Sequence, residues 1–174
     1  MKDLLESRFL TNKFFVDNFN KIEESDTNGI CGNFSLKSDY YNLINKSFKI
    51  ELNNTRKGND HVLCNNQFFL VNDFVNEIFL IGIAEWGDFR ENLCLINGLQ
   101  KIEKSFIFKE MHCSEENSWS FEINDSHYCI LGKCKTNLND FFNLSYYRMQ
   151  VKKYVEKIKL PLNPAIHLFH IFYD

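Results

Sequence analysis

Proline and glycine are scarce in this sequence, with 2 Pro and 7 Gly among 174 residues. The chain contains no linker rich in Pro, Gly or Ser, no internal repeat and no low-complexity tract, so the sequence predicts a single domain over residues 1–174. No apolar run approaches the roughly 20 residues that a membrane-spanning helix needs. The longest run, IFLIGIA at 78–84, suits a strand instead.

An excess of charge of one sign is also lacking, since 20 Lys and Arg residues stand against 23 Asp and Glu residues, a formal net charge of -3. We therefore expect no direct nucleic-acid partner and no membrane partner, and any charge-based partnering must come from local patches. The N-terminal residues MKDLLESRFLTNKFF are interrupted by charges and lack the apolar core of a signal peptide. The sequence thus predicts a cytoplasmic protein whose 6 Cys are reduced.

Two segments have apolar residues at helical spacing. The first, LLESRFLTNKFFVDNFNKIEE at 4–24, predicts an amphipathic N-terminal helix. The second, NLNDFFNLSYYRMQVKKYVEKIKL at 137–160, predicts a long C-terminal helix with lysines near its negative end, stopped by PLNP at 161–164. Its apolar face consists of Leu138, Phe142, Tyr146, Met149, Val155 and Ile158.

Short β-prone segments fill the region between these helices, and AIHLFHIFYD at 165–174 predicts a closing strand. Asn97–Gly98 has the chemistry of a tight type I′ hairpin turn, which needs positive φ at both central residues. The predicted fold is an α+β domain, a mainly antiparallel sheet with an N-terminal helix and a long C-terminal helix followed by the closing strand. The remaining strand candidates are 47–54, 61–71, 77–86, 91–96, 104–113, 118–125 and 127–134.

Histidine and cysteine cluster in HYCILGKC at 127–134, but their spacing is poor for zinc. A zinc site needs about four N or S ligands, commonly supplied as two close pairs. His127 and Cys129 share one face of a strand, whereas Cys134 falls on the other face and no C-x-x-C pair is present. We therefore predict no metal and no cofactor.

Cys113 beside His112 is a candidate thiolate–imidazolium pair, but neighbouring strand residues point to opposite faces. The same rule predicts opposite faces for His167 and His170 in HLFH if this segment is a strand. We predict no catalytic residue. An enzyme would have to recruit histidines with neighbouring carboxylates, namely His61, His112 or His127.

Two polar turns combine carboxylates with tryptophan, EWGDFRE at 85–91 and SEENSW at 114–119. Trp is enriched in interface hot spots, and carboxylates beside it can face a basic partner such as the cleft of a nuclease. The alternative is a pair of solvated hairpin turns. The predicted partner-binding residues are Glu85, Trp86, Asp88, Glu91, Glu115, Glu116 and Trp119.

A signal-free, Asn- and Phe-rich chain with turns such as EWGDFRE and SEENSW and no catalytic motif resembles, in overall character, the immunity proteins of bacterial polymorphic toxin and contact-dependent inhibition systems. This resemblance implies a cytosolic inhibitor that binds one cognate toxin domain, often a nuclease, and occludes its active site. Two other classes stay open. One is a β-rich carrier whose Phe side chains line a cavity for a small molecule or lipid, and the other is a small enzyme without a familiar motif.

Overall fold

The structure, a computed structural model, describes residues 2–5, 34–36, 61–111, 120–123, 126–135 and 141–174. These residues form ten β-strands and no helix. The strands are β1 Lys2–Asp3, β2 Phe34–Leu36, β3 Val62–Asn65, β4 Phe68–Ala84, β5 Phe89–Asn97, β6 Gln100–Phe108, β7 Ser120–Ile123, β8 Ser126–Lys135, β9 Phe141–Lys159 and β10 Leu162–Tyr173.

All ten strands belong to one curled antiparallel sheet, whose main order is β1-β10-β4-β9-β5-β6. β3 also pairs with β10, while β8 pairs with β2, β7 and the first half of β9. The second half of β9 pairs with β5 instead, through Cys94↔Lys159 and its neighbours. The long strands β4 and β9 therefore lie side by side in the middle of the sheet, with β10 and β1 on one side and β5 and β6 on the other.

The predicted C-terminal helix over 137–160 is wrong, because β9 occupies Phe141–Lys159. Ser145, Tyr146 and Tyr147 are three consecutive buried residues, so the strand shows no polar–apolar alternation there. Further along, the register against β4 shifts near Lys152, which has φ 51°. A second shift lies between Val155 and Lys157, and across the two shifts the buried residues are spaced at helix-like intervals of four and three, namely Val151, Val155 and Ile158.

The predicted N-terminal helix is not found where the chain is described. Leu4 follows strand β1 and its backbone N–H donates to the Ile171 carbonyl at 2.8 Å. Leu4 and Leu5 are buried, as expected for the apolar side of the predicted helix. However, they directly follow β1, a strand that pairs with β10. The rest of 4–24, from residue 6, and the strand candidate at 47–54 lie outside the described residues.

The closing strand and the hairpin near Asn97 are both present. All of AIHLFHIFYD except its last residue, Asp174, lies within β10, which runs between β4 on one side and β1 and β3 on the other. In the β5–β6 hairpin Asn97 pairs with Gln100, so the two loop residues are Gly98 and Leu99. Gly98 has φ 56° and Leu99 has no positive φ, which corresponds to a type II′ turn one residue later than predicted.

The core lies inside the curl, where β6 folds over β4. Gly82 shows how close this approach is: a Cβ there would lie 2.7 Å from Phe108 Cε2 and 3.0 Å from Leu168 Cδ2, and closer still to the His167 carbonyl oxygen. The rings of Phe106 and Phe108 pack edge to face, with centroids 5.6 Å apart. Phe side chains therefore fill this part of the interior. The described residues include no helix long and apolar enough to cross a membrane.

Candidate functional site at the Trp86 turn

Residues 85–88, the tight connection between β4 and β5, expose a large aromatic side chain. Trp86 is 82% exposed and has φ 65°, in the left-handed region. Gly87 follows with φ 144° and has open space around its Cα. A non-glycine residue in the left-handed conformation costs roughly 1–2 kcal/mol, so the turn holds Trp86 in a strained backbone as well as in solvent.

Asp88 fixes one side of this turn. Its carboxylate accepts hydrogen bonds from Lys109 Nζ at 2.5 Å and from the Glu110 backbone N–H at 2.9 Å. Burial alone would raise the pKa of Asp88, but these two bonds outweigh it and lower the pKa below its usual range. The stabilisation from ionised Asp88 is therefore present above the usual Asp range and is lost as the pH falls through the lowered pKa.

Glu85 fixes the other side through β10 and two buried histidines. Its backbone N–H donates to the Ala165 carbonyl at 2.9 Å, and its Oε2 lies 3.3 Å from His167 Nε2. His167 Nδ1 in turn lies 3.0 Å from His61 Nε2. His61 is 0% exposed and His167 is 2% exposed. A chain Glu85–His167–His61 thus runs from the turn into the core.

The proton arrangement of this chain follows from hydrogen-bond chemistry. The contact between His167 Nδ1 and His61 Nε2 requires one nitrogen to donate and the other to accept. With a proton on His167 Nε2, facing Glu85, His167 Nδ1 is the acceptor and His61 Nε2 the donor.

Glu91 also contacts β10 rather than solvent alone. Asn163 Nδ2 donates to Glu91 Oε1 at 2.8 Å, and Asn163 Oδ1 accepts from the Ala165 N–H at 3.1 Å. Burial, followed by the nearby Glu91 carboxylate, raises the pKa of Cys64 far above its usual range. Cys64 is therefore a neutral buried thiol and not a nucleophile.

The structure thus separates the predicted partner-binding residues. The carboxylates of Glu85, Asp88 and Glu91 contact other segments of the chain and so hold the turn, although Asp88 itself is exposed. Trp86, which is also exposed, makes no such contact with the described residues. The other predicted turn, with Glu115, Glu116 and Trp119, lies outside the described residues.

The prediction that His167 and His170 face opposite sides is wrong because of a β-bulge in β10. His167 pairs with Ile83 and His170 with Ile81, and the register shifts between Leu168 and His170. Ile83 and Ile81 share one side of β4, so both histidines project from the same side of β10. His170 is stacked on Phe172, with ring centroids 4.9 Å apart. A bulge of this kind leaves no signal in the HLFH motif.

Only part of the zinc and thiol candidates lies in the described part of the chain. His127 and Cys129 lie in β8, two residues apart, while His112 and Cys113 fall outside the described residues. Among the residues that the structure describes, no group of three or more His, Cys, Asp or Glu side chains could hold a metal ion.

The fold and this turn define the described chain as a curled all-β protein that displays a strained, exposed tryptophan at one end of its sheet. No protein-family model matches the chain, and a search of curated proteins finds no significant match.

Proposed function

We propose that this protein is a cytoplasmic protein-binding inhibitor of the immunity type, and that Trp86 is its principal contact with the partner. The observation that carries the proposal is the combination of 82% exposure and a left-handed backbone at Trp86. A large aromatic side chain in that position costs stability twice, through strain and through lost burial. Binding of a partner is a function that would offset both costs.

The contacts of Glu85 and Asp88 support this proposal because they preorganise the turn. The backbone at Glu85 is bonded to β10, and Asp88 is bonded to the segment that follows β6. A side chain held in place before binding loses less conformational entropy in the complex. Trp residues held in this way dominate many interfaces, each contributing about 2 kcal/mol or more.

The kind of partner follows from the resemblance to immunity proteins and not from the contacts. We propose a cognate toxin domain, such as a nuclease, whose active site is occluded when the Trp86 turn inserts into it. Glu85 and Glu91 are partly buried, and Asp88, although exposed, is paired with Lys109, so Trp86 dominates the contact area that this turn offers. Binding through it should therefore depend only weakly on salt, in contrast to a complex driven by exposed carboxylates.

The other two classes are supported less well by the described residues. A carrier needs an open interior, whereas next to Gly82 the His167 backbone and the Phe108 and Leu168 side chains fill the space that a methyl group would need. An enzyme would use the Glu85–His167–His61 chain, but both histidines are almost completely buried. A general base must come within hydrogen-bond reach of its substrate, which this burial does not provide.

Replacing Trp86 by alanine is expected to weaken partner binding by about 30-fold, because loss of a hot-spot tryptophan costs about 2 kcal/mol or more. The measurement is affinity capture from lysate of the native organism, with quantitative mass spectrometry, at two salt concentrations. Leu99→Ala is the matched control, since Leu99 is also fully exposed on a tight turn. One stoichiometric partner retained equally by Trp86→Ala and Leu99→Ala would reject the assignment of Trp86.

Replacing Trp86 by glycine should separate strain from binding. Glycine adopts φ 65° without the steric penalty that a Cβ atom causes, although it loses more backbone entropy on folding than alanine does. Because the steric penalty is the larger of the two, we expect the free energy of unfolding of Trp86→Gly to be about 1 kcal/mol higher than that of Trp86→Ala. Urea denaturation of both variants measures this difference. Both should lose the partner. A Trp86→Gly variant less stable than Trp86→Ala would show that the turn is not strained.

A further inference from the structure

The first half of β4 and the second half of β9 form another exposed surface, away from the Trp86 turn. Three cross-strand pairs make it up: Phe68 with Lys159, Leu70 with Lys157, and Phe74 with Tyr154. We call these six residues the aromatic–lysine face. Phe69 and Val75, their neighbours on β4, are buried on the opposite side of the sheet. The face is therefore the outer surface of a sheet whose inner surface is the core.

The rings on this face are unusually accessible. Phe68 is 56% exposed, Phe74 is 54% exposed and Tyr154 is 46% exposed. Phe74 is six positions after Phe68 on β4, which corresponds to about 20 Å along a strand. Exposed apolar side chains scattered singly are ordinary, but a row on adjacent strands marks a contact surface.

Positive charge accompanies the rings. Lys159 Nζ lies over the Phe68 ring, 5.6 Å from its centroid. Of the acids nearby, Asp73 is paired with Lys2 at 2.6 Å, and Glu156 accepts from the Gly98 N–H at 3.0 Å. Within the described residues neither Lys157 nor Lys159 has a carboxylate partner within 4.0 Å.

We propose that the aromatic–lysine face binds single-stranded nucleic acid. Exposed rings provide stacking surfaces for bases, and lysines between them neutralise the phosphates that connect those bases. Each nucleotide of such a strand carries a base, which can stack on an exposed ring, and a phosphate, which can pair with a lysine. A single-stranded nucleic acid therefore matches both the rings and the lysines of this face. A second copy of this chain matches poorly, because a symmetric dimer through this face would bring the lysines of both copies together.

This proposal is independent of the proposed inhibitor function and revises the expectation drawn from net charge. The formal charge of -3 describes the whole chain. At physiological salt the Debye length is about 8 Å, so charges farther away than this are largely screened. A bound nucleic acid therefore interacts mainly with Lys157, Lys159 and the residues near them, and not with distant acids.

The test is fluorescence anisotropy of labelled oligo(dT) with the full chain. We expect a dissociation constant of about 100 µM or tighter at physiological salt, the range of non-specific nucleic-acid binding. Phe74→Ala and Tyr154→Ala should each weaken binding at least about fivefold through lost stacking. Leu162→Ala is the matched control, because Leu162 is 65% exposed on β10 and lies outside the face. Melting temperatures of all variants verify that they fold.

The salt dependence of binding gives a second test, because a lysine that only stabilises the fold would not change it. The slope of log K against log salt should fall by about 0.7 for each of Lys157→Gln and Lys159→Gln. It should stay unchanged for Arg90→Gln, because Arg90 is exposed on β5 before the part of that strand that pairs with β9. Vesicles of phosphatidylcholine and phosphatidylserine are tested in parallel. Absence of oligo(dT) binding, equal effects of the control variants, or binding to the vesicles alone would overturn the proposal.

Discussion

Replacing Gly82 by alanine is expected to lower the free energy of unfolding by about 3 kcal/mol, the upper range for overpacking a core. The added methyl group would meet the His167 carbonyl oxygen, Phe108 Cε2 at 2.7 Å and Leu168 Cδ2 at 3.0 Å. The first obstacle is backbone on the neighbouring strand, which cannot rotate away as a flexible side chain would. The melting temperature should fall by about 6–12 °C for a chain of this size.

Chemical denaturation of Gly82→Ala and of a control, Gly98→Asn, measures this effect. Gly98 has open space around it and φ 56°, a conformation that asparagine tolerates. We expect Gly98→Asn to stay within about 0.5 kcal/mol of the wild type. Equal stability of the two variants would show that the His167 backbone and the Phe108 ring do not lie against Gly82 in the way described.

Replacing His167 by leucine is expected to cost about 3 kcal/mol, because it removes the middle group of the Glu85–His167–His61 chain. The Glu85 carboxylate and the buried His61 ring would each lose their contact with His167, at 3.3 Å and 3.0 Å respectively. Leucine fills much of the same volume, so the loss is due mainly to the polar contacts rather than to a cavity.

A double-mutant cycle separates these polar contacts from packing. We expect Glu85→Leu with His167→Leu to be less destabilised than the sum of the single variants by about 1 kcal/mol or more, because the double variant leaves no unpaired Glu85 carboxylate. Thermal unfolding of the four proteins provides the values. Additive single effects would contradict a direct interaction between Glu85 and His167.

The antiparallel strands were predictable wherever one side faces solvent. In β5, ENLCLI alternates because Leu93 and Leu95 face the core while their neighbours do not, and the turn at Gly98 needs a positive φ. β9 was not predictable in this way. The strand is buried on both sides near Tyr146 and has a bulge near Lys152. Its apolar residues therefore do not alternate with a period of two, and their spacing resembles that of a helix.

The candidate site was predictable in part, for a related reason. EWGDFRE combines a turn with an aromatic residue, and this local pattern identified Trp86. The internal partners of Glu85, Asp88 and Glu91 come from segments far along the chain, at His167, Lys109 and Asn163, so a local pattern could not identify them. The aromatic–lysine face was hidden as well, because the 137–160 segment was assigned to a helix, whereas Tyr154 and Lys157 pair with residues of β4.

Trp86 fluorescence tests the central claim, that Trp86 is displayed for a partner, most directly. The chain has 2 Trp, so a Trp119→Phe variant reports on Trp86 alone. We predict the red emission of a solvated indole in the isolated protein, and a blue shift with reduced iodide quenching when the partner recovered by affinity capture is added. A complex that forms while the Trp86 emission and quenching stay unchanged would contradict the account.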